Sequence, residues 1–347
     1  MKAGIKFLII GDVHFRGVNP RSRLDNYMEA IINKIYEVYE LAREHSVEAI
    51  ICPGDLLDSP GAMWGTVAEL ASILQQAPCP FLCIHGNHDV WAGNAGSKHR
   101  TPYGFLARLG IIKDISDEPF ECGLCGKEIV VSGHGFNIET DTELGKGQFM
   151  PPGRAMQTTE GIINADDFSI HVVHSMLMDY APGFDMRHTL ISQVETTAKV
   201  IISGHEHIGF GIKRRDDGAL FINPGALCRL SAHAAEIERK VSVALLTINS
   251  IDNYSSEIIP LKSALPGHEV LSRQHLENEA EREGRLNKFL ELLASEGESK
   301  FLEVREIVED IAARENLPGE VKAEALRRIG MAREELGAAE RRTGVAV

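Results

Sequence analysis

Five short apolar runs, each stopping abruptly at side chains able to bind metal, constrain this chain more than any other feature of it. They are Phe7-Leu-Ile-Ile-Gly-Asp12-Val-His14, Ile50-Ile-Cys-Pro-Gly-Asp55, Phe81-Leu-Cys-Ile-His-Gly-Asn87-His88-Asp89, Ile170-His-Val-Val-His174 and Val200-Ile-Ile-Ser-Gly-His205-Glu-His207. Runs of this length, bounded by turn residues, read as buried strands. In an open α/β sheet the carboxyl ends of the strands converge on the ligand crevice, so these polar ends are expected to meet in space. Asp12 and His14, like His205 and His207, stand two apart, where an extended chain points both side chains the same way. The glycines before Asp12, Asp55, Asn87 and His205 permit sharp turns that bring the main chain close to an ion.

The donor set mixes carboxylate, imidazole and one amide. It suits divalent cations of borderline hardness, Mn²⁺ first, with Fe²⁺, Zn²⁺ and Mg²⁺ as alternatives. One histidine at a strand end is ordinarily a hydrogen-bonded core residue; five such ends in order are not. His85, His134 and His171 lie on or beside apolar strands and are read as core. Trp91 and Tyr103, after the third run, are candidates to line a groove beside these ends, and Arg229 is a candidate either for contact with an anionic ligand or for a surface salt bridge.

Between the runs, Leu24, Met28, Ile31, Ile32, Ile35, Tyr39 and Ala42 recur at helical spacing and predict a long helix over one sheet face. After residue 207 the texture turns β-rich, with Arg215-Asp-Asp-Gly218 as a hairpin turn before Ala219–Ile222, then Val241–Ile248 and Glu257–Leu261. From about residue 266 the β signals cease. Three helical stripes follow: Leu286, Phe289, Leu290 and Leu293; Val304, Ile307, Val308 and Ile311; Ala325, Ile329, Ala332 and Leu336. Asn316-Leu-Pro-Gly319 separates the last two. The expected organisation is a catalytic domain over 1–265 and a helical tail over 266–347.

With 44% apolar and 25% charged residues in 347, the chain has an ordinary globular composition. Its net charge of −14 argues against a protein that clamps nucleic acid through its own basic surface. It leaves a nuclease open, because bound cations reverse the local sign of a carboxylate-rich site and a partner can supply a basic groove. The six cysteines are scattered and read as reduced thiols, with Cys122-Gly-Leu-Cys125 as a hairpin turn. The opening residues read as a strand rather than an export signal, and no stretch approaches a membrane span, which predicts a cytoplasmic protein.

Taken together, D-x-H, G-D, G-N-H-D, H and G-H-x-H, at Asp12, Asp55, Asn87, His174 and His205, resemble the calcineurin-like metallophosphoesterases over roughly residues 5 to 225. The resemblance implies an α/β (α+β) fold, a four-layer αββα sandwich of two sheets flanked by helices, here with a C-terminal helical appendage. It implies two divalent metal ions, Asp12, His14 and His207 on one, Asn87, His174 and His205 on the other, and Asp55 bridging them. His88 would donate to the reacting phosphate or its leaving oxygen, with Asp89 orienting it.

Within that superfamily, the first strand, D-x-H, Arg23-Leu-Asp25, a long helix and Gly54-Asp-Leu-Leu-Asp58 resemble the Mre11/SbcD nuclease branch, whereas Asn223-Pro-Gly-Ala looks more like general phosphodiesterases. The expected activity is that of a phosphodiesterase acting on DNA; smaller diesters, or less favourably phosphomonoesters, are the alternatives. Residues 266–347 hold 18 acidic and 13 basic side chains, so the tail is no DNA-binding arm. Its stripes need a surface to cover them: the catalytic domain, a homodimer contact, or a coiled-coil ATPase of the Rad50/SbcC type, the partner the resemblance suggests.

Overall fold

The structure is a computed structural model that describes residues 4–124, 126–152, 155–158, 161–164, 168–183 and 185–272, and in the tail 308–309, 312 and 318–328. The chain divides into two compact units, Met1–Ser272 and Arg273–Val347.

Two six-stranded sheets form the first unit. One runs in the order Asn253–Pro260, Ser242–Ser250, Ile5–Ile9, Ala49–Cys52, Phe81–Cys83, Lys113–Asp114; the other runs Gly211–Arg214, Leu220–Asn223, Val200–His205, Phe168–Ser175, Lys127–His134, Phe120–Leu124. In the first sheet Ile5–Ile9, Ala49–Cys52 and Phe81–Cys83 are mutually parallel, and in the second Lys127–His134, Phe168–Ser175, Val200–His205 and Leu220–Asn223 are. The inner strands therefore end at one edge of each sheet, where the polar residues begin.

The period-two pleat sorts every inner strand between two cores. Phe7, Ile9, Ala49, Ile51 and Leu82 face Ile129, Val131, Phe168, Ile170, Val172, Val200, Ile202 and Ile222, filling the space between the sheets. Leu8, Ile10, Ile50, Cys52 and Cys83 point the other way, onto the helices Tyr27–His45 and Trp64–Leu74. Tyr27–His45 starts at Asn26, whose side chain accepts from the Glu29 N–H, and ends where Ser46 turns left-handed. It buries Tyr27, Ile31, Ile35, Val38, Tyr39 and Ala42, and each of the larger aliphatic groups contributes about 1.5–3 kcal/mol. Among the described residues the far face of the second sheet is covered by Phe149, Leu177, Ile191, Val194 and Ala198, from 3₁₀ turns, a two-residue strand and loops.

The two-sheet sandwich thus has the expected mixed α/β architecture. The turn expected at 215–218 joins antiparallel strands, with Gly218 at φ +91°. Cys122, Gly123 and Leu124 lie in the strand Phe120–Leu124, paired antiparallel with Lys127–His134, so the turn expected at Cys122–Cys125 falls later, at 125–126, with Cys125 outside the described residues. The first unit runs past residue 265: the Leu24 N–H donates to Val270 O at 3.0 Å and the Ser272 N–H to Ser22 O at 2.8 Å, tying 267–272 to the loop before the long helix.

In the second unit, 319–328 is helical after Pro318, with Arg327 and Arg328 both paired to Glu324. The stripe at Leu286, Phe289, Leu290 and Leu293 lies outside the described residues, as do Val304, Ile307, Ile311, Ile329, Ala332 and Leu336. Among the described residues no helix is long and apolar enough to cross a membrane.

Candidate metal centre

Loops from both sheets deliver their polar residues to one buried point. Asp12 and His14 follow Ile5–Ile9, Asp55 follows Ala49–Cys52, and Asn87 and His88 follow Phe81–Cys83; His174 lies within Phe168–Ser175 and His205 ends its own strand. Pairing of Gly204 with His174 sets the second sheet's contributions side by side. The chain reaches these positions by unusual backbone: His14, Asp55 and His205 all have positive φ, at +46°, +48° and +77°. Gly54 itself sits at φ +115°, and a Cβ there would collide with His174 Nδ1, while a Cβ on Gly86 would collide with Asp55 Oδ1. Only glycine lets these main-chain segments come so close.

Asp12, His14, Asp55 and His207 bring ligand-capable atoms within 4.8 Å of one another, and so do Asp55, His174 and His205. Asp55 belongs to both groups. Its Oδ2 stands 3.4 Å from His14 Nε2 and 3.4 Å from His174 Nε2, and its Oδ1 accepts the His88 N–H at 2.8 Å. His14 Nε2 and His207 Nε2 are 3.1 Å apart, and His207 Nε2 is 3.3 Å from Asp12 Oδ2. Asn87 Oδ1 lies 3.0 Å from His174 Nε2, which joins the amide to the second group.

The residues fit divalent cations. Asp12 Oδ1 and Asp55 Oδ2 are buried with no hydrogen-bond partner, an arrangement that costs free energy unless a cation or proton answers it. Two imidazole nitrogens held about 2.1 Å from one ion also stand roughly 3 Å apart, as His14 and His207 do. Electrostatics point the same way. Burial opposes the charge of Asp12 and Asp55, but the facing imidazoles outweigh it and hold both carboxyls below the usual range. Burial would likewise discharge His174, yet Asp55 and Asp12 push it up to about 10, whereas burial and the neighbouring His174 bring His205 down to about 4.

Around this point other residues hold the ligand-capable groups in place. His174 Nδ1 bonds Pro53 O at 2.8 Å, and Phe136 lies against the rings of His174 and His205. Asp58 Oδ1 is 3.4 Å from His14 Nδ1, and Asp58 Oδ2 pairs with Arg16 at 3.0 Å. Such outer partners fix the orientation of an imidazole ligand and tune its basicity. Asn223 donates to Glu206 O and accepts from the Gly225 N–H, bracing the residue between His205 and His207. Asp58 was legible in Gly-Asp-Leu-Leu-Asp58, but its contact with His14 was not; Phe136 gave no signal.

Several expectations are corrected here. Asp89 does not orient His88: its carboxylate accepts the N–H groups of Gly86, Leu56 and Leu57, and burial together with the charge of Asp55 pushes it up to about 7. Tyr103 is wholly buried beside His85, so it lines no groove. Arg229 is buried too, donating to Leu265 O and Arg239 O, which makes it an internal clamp rather than a phosphate contact or a surface pair. His85 bonds Phe136 O, and His171 bridges Ser132 and Gln148 O, as core residues do. Trp91 remains exposed.

Residues 5–250 match the model of the calcineurin-like phosphoesterase superfamily domain, and the chain belongs to that family. It is therefore a metal-dependent phosphoric ester hydrolase, from a family that works with two metal ions. Similar solved structures include a dimetal phosphatase from Danio rerio, at 12% identity over 75% of this chain and 97% of that one, with a TM-score of 0.47. An archaeal phosphodiesterase matches at 13% identity over 74% and 100%, with a TM-score of 0.35. Haemophilus influenzae NAD nucleotidase matches at 13% over 74% and 49%, with a TM-score of 0.40. No curated protein matches the chain.

Proposed function

We propose that this chain is a dinuclear, Mn²⁺-dependent phosphodiesterase that cleaves DNA in the manner of the Mre11/SbcD nucleases, in the cytoplasm and beside a Rad50/SbcC-type ATPase. Asp12, His14 and His207 would hold one ion, Asn87, His174 and His205 the other, and Asp55 both. The observation that carries a diester is the pairing of Arg16 with Asp58 at 3.0 Å. The Arg16 guanidinium is already paired there, so it is not left free to answer a second phosphate charge, which suits a singly charged diester better than a doubly charged monoester. DNA as the diester is supported by the sequence from Asp12 to Asp58, and a separate ATPase by the net charge of −14, which disfavours holding a duplex unaided.

Cations bound here would acidify a water for in-line attack and screen the charge on the phosphate. Asp55 holds the two halves of the centre together and fixes the His88 backbone through its N–H. His88 Nδ1 lies 2.8 Å from Asp58 O. A carbonyl only accepts, so Nδ1 carries a proton, and His88 in its charged form presents a second proton on Nε2 to the leaving oxygen.

The test compares labelled single- and double-stranded DNA with a chromogenic diester and a chromogenic monoester, each with Mn²⁺, Mg²⁺ and Zn²⁺. Cleavage of DNA with Mn²⁺ is expected. Hydrolysis of the small diester alone would leave a phosphodiesterase without nuclease action, the reading that the Asn223-Pro-Gly225 loop favours.

A further inference from the structure

We infer that Trp91 is a nucleobase-stacking residue at the mouth of the metal centre, so that the enzyme selects diesters carrying a base next to the scissile phosphate. The inference rests on the phosphodiesterase reading and names the substrate feature it recognises.

Two segments run side by side at the edge of the centre, Asp58–Gly61 and His88–Trp91. They are joined at one end by the hydrogen bond from His88 Nδ1 to Asp58 O, and at the other by the Trp91 ring, whose Cη2 lies against Gly61, 3.2 Å from where a Cβ would stand. Three residues of chain span at most about 10 Å, so Trp91 is attached to the backbone close to His88.

Beyond Trp91 the chain turns back. Ala92 and Gly93 both have positive φ, +50° and +68°, and Gly93 packs on Phe136, whose ring meets His174 and His205. The Trp91–Gly93 turn therefore leads from the His88 side of the centre to the ring that covers the other side. A non-glycine residue such as Ala92 in the left-handed region costs free energy and is held there by its surroundings. Here the Trp91 N–H donates to Ser97 Oγ, itself buried, and the Asn94 N–H donates to Trp91 O.

All this structure supports an indole that is 50% exposed. Its neighbour in type, Trp64, is exposed as well, but leans on Phe105 at the start of its helix. A rigid aromatic face beside a phosphate-cleaving centre is the usual platform for an unpaired base, because every base offers a π-face. It serves a single strand or a frayed end; a fully stacked duplex offers it nothing.

The test uses the intact protein and three matched dinucleotides, thymidylyl-thymidine and its two analogues with an abasic sugar on one or the other side of the phosphate. Trp91→Ala is expected to raise KM roughly tenfold for thymidylyl-thymidine. For at least one abasic analogue it should leave KM unchanged, and Trp91→Phe should restore most of the loss. In a Trp64→Phe background Trp91 is the sole indole, and its fluorescence should be quenched by a thymidine tetramer but not by an abasic one. Equal losses on base-bearing and abasic substrates, or wild-type protein that cleaves both alike, would overturn the stacking role. Failure to cleave any dinucleotide while a chromogenic diester is hydrolysed would instead remove nucleic acid as the substrate.

Discussion

His88 Nδ1 lies 2.8 Å from the carbonyl oxygen of Asp58, and that single bond decides which nitrogen of the ring faces the centre. Because a backbone carbonyl cannot be removed by substitution, the orientation of His88 is built into the path of the Gly54–Asp58 turn. His88→Ala should therefore lower turnover by about 10²–10⁴-fold, the range for one positioned acid or base. Metal content should stay at the wild-type value. If metal is lost in proportion to activity, His88 is a ligand and its role as a proton donor is wrong.

Asp55 is the one carboxylate common to both groups of ligand-capable atoms. Asp55→Asn should reduce the two ions bound per chain and depress turnover together. Metal analysis on purified protein decides the matter: one tightly held ion in the wild type, or full activity in the variant, contradicts a shared bridge.

Asp58→Asn separates the two duties of that residue, since it keeps the carbonyl to His88 and removes the charge beside His14 Nδ1. Loss of such an outer partner typically costs 10–100-fold in metal affinity or activity. Competition with a chelator should show weaker metal binding in the variant; unchanged affinity would mean that Asp58 serves Arg16 alone.

Lys34 is buried in the long helix and donates to Leu227 O at 3.0 Å; burial, then the charge of Arg23, brings its pKa down to about 7. An unfolded lysine titrates near 10.4. Between about pH 7 and 10 the unfolded chain thus holds a proton that the folded chain has released, and this group makes stability rise with pH across that window. Its penalty is fully present below pH 7. The Tm of Lys34→Met minus that of the wild type should accordingly fall from pH 7 to pH 10. A difference independent of pH would show that Lys34 keeps its proton throughout.

The tail is tested by ending the chain after Ser272, because 267–272 is bonded to the loop at 22–24 and belongs with the catalytic unit. The shortened protein should hydrolyse a chromogenic diester at the wild-type rate and no longer co-purify with a coiled-coil ATPase. Aggregation of the shortened protein would show that the tail covers the catalytic unit, and would withdraw the support for a partner.

Much of the centre was legible because it follows from local rules. Apolar runs and glycine punctuation marked the strands that carry the site and their ends, and the parallel order of those strands sends the ends to one edge. Asp12, His14, Asp55, Asn87, His174, His205 and His207 are all found there. Where inference ran along the chain instead of through space it failed. Asp89 follows His88 directly, yet turns inward to accept three N–H groups that would otherwise be buried without partners. Arg229 stands just past a loop at the site, but its guanidinium answers the carbonyls of Leu265 and Arg239 instead.

By itself, then, the sequence determined the strands that carry the site, which side chains stand at their ends, and the chemistry those side chains can share, since backbone preference and side-chain period act over a few residues. Only the tertiary structure decided the partners: Asp58 with His14 and Arg16, Phe136 with His174 and His205, Trp91 over Gly61. Those contacts join residues from separate loops, and each is set by which buried donor, acceptor or ring face the packing of two sheets leaves to be satisfied.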